Sequence, residues 1–264
     1  MYTFDYQHPT DRADVAAAFQ GDSRYLAGGQ SLVQAMKLRL ASAERLVDLG
    51  GVADLKGITV DAGSVTIGAM TTHATVARSA AVQQAIPALA ELAGGIGDPM
   101  VRNRGTIGGS LAHSDPAACY PAGVLGLGAT VHTDRRSIAA DDFFLGLYET
   151  ALQPGELIVS VQFPIPEAAA YIKYKQPASR FALIGVCVSR SAAGVRVGVT
   201  GAKSAAYREA AIEAALNASF TPEAAKAVQV SAADLNGDMH GSATYRAAMI
   251  SVMASRAVAA ALAR

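Results

Sequence analysis

The sequence predicts an α+β protein with more than one domain. Through the first two thirds, short strand-like segments alternate with helical ones, and the glycine pairs Gly28-Gly29 and Gly108-Gly109 interrupt them. In the last third, two strand-like runs meet at a hairpin-like connection, and alanine-rich segments with helical periodicity follow. A chain of 264 residues is long enough for two or three such units. We therefore place a domain boundary near residue 168.

The first elements form a strand, a glycine turn and a helix. Asp11 to Phe19 is typical of a short helix with Thr10 as its N-cap, and Arg24 to Ala27 is strand-like. Gly28-Gly29 breaks this strand, after which Ser31 to Leu40 has helical spacing. Backbone N–H groups at such a helix start can bind an anionic group, and an ordinary turn is the alternative.

The middle of the chain predicts a small mixed sheet with helices. Its strand near residue 160 is expected to turn Ile158 and Val161 inward. The predicted strands are Arg45–Leu49, Ser64–Met70, Ala129–Thr133 and Glu156–Phe163; the predicted helices are Thr72–Arg78, Ile86–Ala93 and a segment from Asp115-Pro116 to Leu127, capped by Ser114 or Asp115.

The last third predicts a hairpin packed by helices. Its strands are joined at Ser191–Gly194. The strands are Phe181–Arg190 and Val195–Thr200, and the helices are Ala205–Leu216, Pro222–Ala232 and Tyr245–Ala263.

The composition excludes some classes of function. Basic and acidic residues balance at 22 each, so the net charge favours neither nucleic acid nor an anionic membrane as a partner. Hydrophobic residues reach 51%, yet no apolar run approaches the roughly 20 residues of a membrane span. Such an apolar chain either buries surface in a complex or is simply rich in alanine.

The N-terminal residues indicate where the protein is located, and the cysteines limit which metal sites it can form. Met1 to Asp11 contains acidic and aromatic residues where a secretory signal needs a basic region and an apolar core, so we expect a cytoplasmic protein. Cys119 and Cys187 are the only cysteines, too few for an iron–sulfur or structural zinc site within this chain.

Val101–Pro121 and Tyr25–Leu32 are rich in glycine and hydroxyl residues. Gly105, Gly108 and Gly109 lack a Cβ, so the backbone can approach a ligand, and Thr106, Ser110 and Ser114 add hydroxyls. Two such segments suggest one extended, phosphate-bearing ligand. Neither has the Gly-x-Gly-x-x-Gly spacing of a Rossmann fingerprint, and the Walker lysine loop is absent.

Catalytic alternatives are weaker. The histidines are scattered without metal-site spacing, and only His113 lies inside a glycine segment, where a cofactor contact and a plain polar role remain open. Cys119 at a helix start would have a stabilised thiolate, but a buried, inert cysteine is the simpler interpretation. Asp98 and Asp115 are explained by capping or turn roles, and Lys175 by solvation.

The two segments resemble the FAD-binding motifs of the medium subunits of molybdenum hydroxylases, the family that includes xanthine, nicotine and carbon monoxide dehydrogenases. The resemblance rests on Ala27–Leu32, Arg104–Pro116, the opening Phe4-Asp5-Tyr6 with Pro9, and Ile67-Gly68-Ala69 before Thr72-His73. It covers essentially the whole chain.

The resemblance implies a PCMH-type fold with non-covalent FAD between two subdomains, at about 1–55 and 56–168, followed by a C-terminal α+β domain at 169–264. That last domain would be a small antiparallel sheet plus helices. It also implies FAD contacts in both segments, and contacts to the flavin ring from the strand at 156–158 and from Lys175, whose charge would stabilise the reduced flavin. The expected FAD-binding residues are Leu26, Ala27, Gly28, Gly29, Gln30, Ser31, Leu32, Gly97, Thr106, Gly108, Gly109, Ser110, His113, Cys119, Leu157, Ile158 and Lys175.

Two residues depart from the family pattern. Ser110 stands where asparagine is usual, and Cys119-Tyr120-Pro121 stands where Asp-Leu-Pro is common. The missing acid at Cys119 is an FAD contact in relatives, so its loss bears on the affinity for FAD or on the flavin potential.

The resemblance implies an oxidoreductase subunit that transfers electrons. A large subunit with a molybdopterin cofactor would oxidise the substrate, a small subunit with two [2Fe–2S] clusters would reduce this flavin, and the assembly would be a dimer of heterotrimers. No residue of this chain would then need to act as an acid or base. Two alternatives are a self-contained FAD-dependent oxidoreductase with the same fold and a structural subunit without flavin. The substrate and the external acceptor, whether NAD, oxygen or a quinone, are not encoded in this chain.

Overall fold

The computed structural model describes all of residues 1–264. It contains a three-stranded, a five-stranded and a four-stranded sheet, a small two-stranded hairpin, and eleven α-helices. The fold is therefore α+β, as the sequence predicts. No helix is long and apolar enough to cross a membrane.

The first sheet is parallel and precedes residue 49. Its strands are β1 (Asp5–Gln7), β2 (Ser23–Leu26) and β3 (Arg45–Asp48), in the order β1-β3-β2, connected by α1 (Arg12–Ala18) and α2 (Leu32–Lys37). The cap of α1 is Asp11, whose carboxylate accepts the Asp14 N–H at 2.8 Å, so the prediction of Thr10 was one residue early.

The second sheet is antiparallel, in the order β4-β5-β10-β6-β7. The strand at 45–48 and the strand at 64–68 therefore lie in different sheets, and the prediction that they share one mixed sheet was wrong. The strands are β4 (Ile58–Val60), β5 (Ser64–Gly68), β6 (Thr130–Thr133), β7 (Ser137–Ala139) and β10 (Ile158–Pro164); β8 (Phe144–Gly146) and β9 (Glu149–Thr150) form the separate hairpin.

An irregularity in β10 explains its inward residues. Ile158 and Val161 are three positions apart, so a regular strand would turn them to opposite faces. The register against β6 shifts between Ile158 and Ser160, and both Ile158 and Val161 are buried. The bulge therefore lets both side chains enter the core, as predicted.

Six short helices cover the region between β5 and β6. They are α3 (His73–Arg78), α4 (Ala80–Ala85), α5 (Pro87–Gly94), α6 (Pro99–Arg104), α7 (Ile107–His113) and α8 (Cys119–Leu127). The glycine-rich stretch 101–121 is thus mainly helical. The apolar helix begins at Cys119 rather than Asp115, because Ser114 is left-handed (φ 49°) and the Asp115 carboxylate accepts the Ala117 N–H in a turn.

The last sheet is antiparallel and carries the predicted hairpin. Its strands β11 (Ala168–Lys175), β12 (Ala182–Ser191), β13 (Gly194–Thr200) and β14 (Tyr207–Arg208) pair in sequence order, with residues 192–193 as the turn between β12 and β13. The helices are α9 (Ala210–Ala218), α10 (Pro222–Ala227) and α11 (Ala243–Leu262). The predicted helix from Ala205 starts later because β14 occupies its first residues, and α10 ends five residues before the predicted Ala232.

Helix α8 joins the five-stranded and four-stranded parts. All nine of its residues are buried, and Gly126 lies against the last sheet whereas Gly123 lies against Leu92 of α5. A Cβ at Gly198 of β13 would lie 2.2 Å from the Ala122 carbonyl oxygen, and one at Gly126 would lie 2.7 Å from the Cys187 carbonyl oxygen. The main core therefore continues from the five-stranded sheet through α8 into the C-terminal sheet.

Candidate functional site

A run of unpaired backbone donors follows β2. The backbone N–H groups of residues 27–31 form no hydrogen bond within the chain, either to a backbone carbonyl or to a side chain. Gly29 has φ +73°, a conformation that favours glycine, and Ser31 makes no side-chain capping bond to α2. Successive free N–H groups in such a turn attract an anion. The predicted residues Leu26 and Leu32 flank this run, as the last residue of β2 and the first of α2.

The second glycine segment lies directly against this run. A Cβ at Gly28 would lie 2.1 Å from the Arg104 carbonyl oxygen and 2.8 Å from the Gly105 Cα. A Cβ at Gly109 would lie 3.2 Å from the Cβ of Ala27. The structure therefore brings together the two segments that the sequence singled out, and their glycines permit the contact.

The N–H groups at the start of α7 form hydrogen bonds within the chain. Ile107 donates to the Thr71 carbonyl at 3.2 Å and Gly108 to the Ala69 carbonyl at 2.8 Å. Gly109 donates to the Thr106 hydroxyl at 3.2 Å, and Ser110 to the Thr106 carbonyl at 3.0 Å. The N–H groups at 107–110 are therefore engaged within the chain, whereas those at residues 27–31 are free. At 107–110 the bonds fix α7 to the end of β5, which leaves the Ser110 hydroxyl available.

A buried histidine supports Gly105. A Cβ at Gly105 would lie 2.5 Å from the His73 Nε2, and the His73 N–H donates to the Gly105 carbonyl at 2.9 Å. Burial and, to a smaller extent, the Arg102 charge together lower the pKa of His73 to about 4, so the ring is neutral at pH 7. From the sequence we expected His73 to be an ordinary polar residue. Only its place in the family pattern indicated that it lies near the site.

Gly97 lies in the turn between α5 and α6. Its φ is +47°, and the Arg102 guanidinium donates to its carbonyl at 3.1 Å and to that of Ile96 at 2.8 Å. The Asp98 carboxylate accepts the Val101 N–H at 2.9 Å and caps α6, as the capping interpretation predicts. This turn is therefore held in one conformation by a cation and a cap.

Cys119 contacts a lysine that the sequence did not single out. It is the first residue of α8, is 5% exposed, and its Sγ lies 3.3 Å from the Lys173 Nζ. Lys175, the predicted contact, is exposed at the end of β11 and forms no salt bridge in the chain. Lys173 and Lys175 are two positions apart in β11, and the sequence could connect them only if this strand was recognised.

His113 packs on an aromatic residue from the hairpin. The ring centroids of His113 and Tyr148 are 5.0 Å apart, and Tyr148 lies between β8 and β9 with φ +56°. Burial and the Asp115 charge raise the pKa of Tyr148, so it is neutral at pH 7. A cavity of about 400 Å³ begins beside Asp115 and extends to Gln176 and Phe181. It therefore borders residues that adjoin the predicted contacts His113 and Lys175.

The strand residues 156–158 lie in the interior. Leu157 is 5% exposed and packs in the small core of the first sheet, whereas Ile158 belongs to the main core. Glu156 is also buried, and Arg136 binds its carboxylate at 2.9 Å and 3.0 Å. This bond lowers the pKa of Glu156 to about 2. The structure therefore places Leu157 at the junction of the first two sheets.

The arrangement suits an extended anionic ligand rather than a metal. No group of three or more His, Cys, Asp or Glu side chains is placed to hold a metal ion. The free N–H run at residues 27–31 suits a diphosphate.

Comparison with protein families decides which ligand this is. The model described as the FAD binding domain in molybdopterin dehydrogenase matches residues 2–166. The chain belongs to this family. It is thus an FAD-binding subunit of a molybdenum-dependent oxidoreductase, and the free donors at 27–31 fit the FAD diphosphate.

Relatives of this family resemble the chain over nearly its full length. The carbon monoxide dehydrogenase medium chain of Hydrogenophaga pseudoflava is 36% identical, with 99% of this chain and 98% of the relative covered. The nicotine 6-hydroxylase medium subunit of Paenarthrobacter nicotinovorans is 38% identical, with 92% and 91% covered. The solved structure of reconstituted CO dehydrogenase from Oligotropha carboxidovorans has a TM-score of 0.91 at 35% identity, covering 100% of this chain and 99% of that chain.

Proposed function

We propose that this chain is the electron-transferring flavoprotein subunit of a heterotrimeric molybdenum hydroxylase. It would receive electrons from [2Fe–2S] clusters on a small partner subunit and pass them to an external acceptor. Molybdopterin on a large partner subunit would oxidise the substrate. We expect a dimer of such heterotrimers in the cytoplasm. The relatives' names, medium chain and medium subunit, support a multi-subunit assembly.

The observation that carries the proposal is the contact between the free N–H run and the α6–α7 turn. Five consecutive backbone donors, at residues 27–31, lie where Gly28 packs on Arg104 and Gly105. A diphosphate there would be held by N–H dipoles, and the Ser31 and Ser110 hydroxyls would add donors. This part of the chain binds and orients, and needs no acid or base.

The strand at 156–158 and Lys175 would contact the flavin ring. FAD, when bound, accepts electrons singly and releases them in pairs, which suits a link between clusters and a two-electron acceptor. Leu157, Ile158 and Lys175 are proposed to contact this ring. Gly97, with Thr106 and Gly108 to Ser110, is proposed to hold the other side of the FAD, and His113 and Cys119 are proposed as further FAD contacts. Burial of Leu157 and Ile158 would exclude water from the ring, and the Lys175 ammonium would favour negative charge on it.

Purification of the full chain through an affinity tag tests the proposal. We expect about one FAD per chain, released intact by denaturation, and co-purification of one larger and one smaller subunit containing molybdenum and iron. FAD bleached by a substrate in the absence of any other subunit would favour a self-contained oxidoreductase. A chain that neither holds nor takes up FAD would support a structural subunit instead.

A further inference from the structure

Three parts of the fold meet at Lys173, near the start of α8. Its Nζ donates to the Gly95 carbonyl at 2.7 Å, to the Arg180 carbonyl at 3.1 Å and to the Cys119 Sγ at 3.3 Å. Gly95 begins the turn that contains Gly97, and Arg180 lies in the connection that follows Lys175. One ammonium group therefore fastens three segments that carry predicted FAD contacts.

The charge of Lys173 is not compensated. Its three acceptors are two backbone carbonyls and the Cys119 sulfur, no carboxylate lies among them, and it belongs to none of the chain's salt bridges. The side chain is half-buried. A cation in partly desolvated surroundings acts more strongly on nearby charge than one in water.

Other donors at the same place also lack acceptors. Ala118 caps the nine-residue helix α8 without a side-chain bond, and the N–H groups of Cys119 and Tyr120 donate to no carbonyl of the preceding loop. The Tyr171 hydroxyl, on the same face of β11 as Lys173, is buried without a hydrogen-bond partner, and that residue is 8% exposed. Burial, with Cys119 beside it, keeps the pKa of Tyr171 well above its ordinary value, so the hydroxyl remains a neutral donor.

These groups form an electropositive site that lacks an acceptor. The positive end of the α8 dipole, an uncompensated ammonium and a free hydroxyl all favour a group that carries or gains negative charge. Cys119, the residue between them, contacts Lys173 through its sulfur atom. The flavin ring, which gains negative charge when it is reduced, is the ligand of this region with that property.

We propose that Lys173 is a positioning residue that also raises the reduction potential of the flavin, and that no carboxylate at position 119 offsets its charge. The inference rests on the proposed function, because it requires FAD in this site. It assigns to Lys173 the contact with the segments around the ring, in addition to the expected contact from Lys175.

Four variants of the full-length, FAD-loaded chain separate charge from scaffold. Lys173→Met removes the ammonium, whereas Cys119→Asp keeps Lys173 in place and neutralises it with a carboxylate. Cys119→Ser is the uncharged control, and Lys203→Met removes a lysine that lies over Tyr207, 4.4 Å from the ring centroid. The reduction potential is measured by equilibration with a redox dye, and the affinity for oxidised FAD by titration of the apoprotein.

We expect Lys173→Met and Cys119→Asp each to lower the affinity for reduced FAD about tenfold relative to the affinity for oxidised FAD. For a two-electron couple this lowers the reduction potential by about 30 mV. Cys119→Asp should also retain oxidised FAD more tightly than the wild type. Lys203→Met should keep the wild-type potential, whereas Cys119→Ser, which changes a predicted FAD contact without adding a charge, should not lower the potential as Cys119→Asp does.

An unchanged or raised potential in Cys119→Asp would overturn the inference, whatever Lys173→Met does. Since Cys119→Asp keeps the lysine and its two carbonyl contacts, it decides the question even if Lys173→Met fails to fold. A wild-type chain that takes up no FAD would refute the proposed function and the inference together. A wild type that binds FAD with the same potential as Cys119→Asp would refute the inference alone.

Discussion

Replacing Gly28 with alanine tests the contact between the two glycine segments. The added Cβ would lie 2.1 Å from the Arg104 carbonyl oxygen, 2.7 Å from the Arg104 carbonyl carbon and 2.8 Å from the Gly105 Cα. All three are backbone atoms, so no side-chain rotation can relieve the overlap. Gly28 does not have a positive φ, so alanine suits its backbone conformation and the close approach alone is tested.

The segments would have to separate by about 1 Å to restore ordinary contact, which moves the free N–H run away from the α6–α7 turn. Overpacking of this kind costs about 1–3 kcal/mol, and rigid neighbours favour the upper end. At about 2–4 °C for each kcal/mol, the melting temperature of the apoprotein should fall by about 6–12 °C. Misplaced donors should weaken FAD binding by at least about tenfold, or about 1.4 kcal/mol.

Thermal unfolding of the apoprotein and titration with FAD measure the two effects. Gly63→Ala is the matched control, because its Cβ would meet nothing within 4 Å and Gly63 has no positive φ. That control should retain FAD affinity and the wild-type melting temperature, or gain slightly in stability. If Gly28→Ala behaves like Gly63→Ala in both measurements, the segments are not in the contact described and the reasoning fails.

Two further substitutions test the surroundings of the site. Glu156 has a folded pKa of about 2 against an ordinary value of 4.5, so its stabilisation is present above about pH 4.5 and is lost as the pH falls toward 2. Glu156→Gln should therefore lower the free energy of unfolding at pH 7 by about 1–2 kcal/mol, a range that allows for the solvent exposure of Arg136. At pH 3 the loss should be smaller. Denaturant titrations measure both losses, and equal losses at the two pH values would contradict this. Gly198→Ala should separate α8 from the last sheet and lower the melting temperature more than Gly63→Ala, since its Cβ would lie 2.2 Å from the Ala122 carbonyl oxygen; an unchanged melting temperature would show that this packing is not tight.

Local patterns predicted the elements whose stabilising contacts are local. The turn at 192–193 and the long helix α11 follow from hairpin and helical periodicity, and both are present. The glycine pair at 28–29 does join a strand to a helix. Sheet membership was not predictable in the same way. Both β1 and β2 pair with β3, and helices separate β3 from each of them along the chain. Such pairing depends on contacts distant in sequence, which a local pattern does not record.

The site shows the same division. The free donors at 27–31 could be expected from glycine and serine at a strand end, and the structure has them. The engagement of the 107–110 N–H groups with Ala69, Thr71 and Thr106 could not, because it needs the end of β5 to lie beside α7. Lys173 was missed for a related reason, since β11 was not recognised as a strand and its contact with Cys119 joins residues 54 positions apart.

The most direct test of the central claim follows the visible absorbance of FAD on this chain while electrons are supplied from a partner. The FAD-loaded full chain is mixed anaerobically with the co-purified small subunit, whose clusters have been chemically reduced and freed of excess reductant. We predict rapid bleaching of the flavin, with matching reoxidation of the clusters, and no bleaching when the clusters are supplied oxidised. A flavin that stays oxidised in contact with reduced clusters would contradict the account.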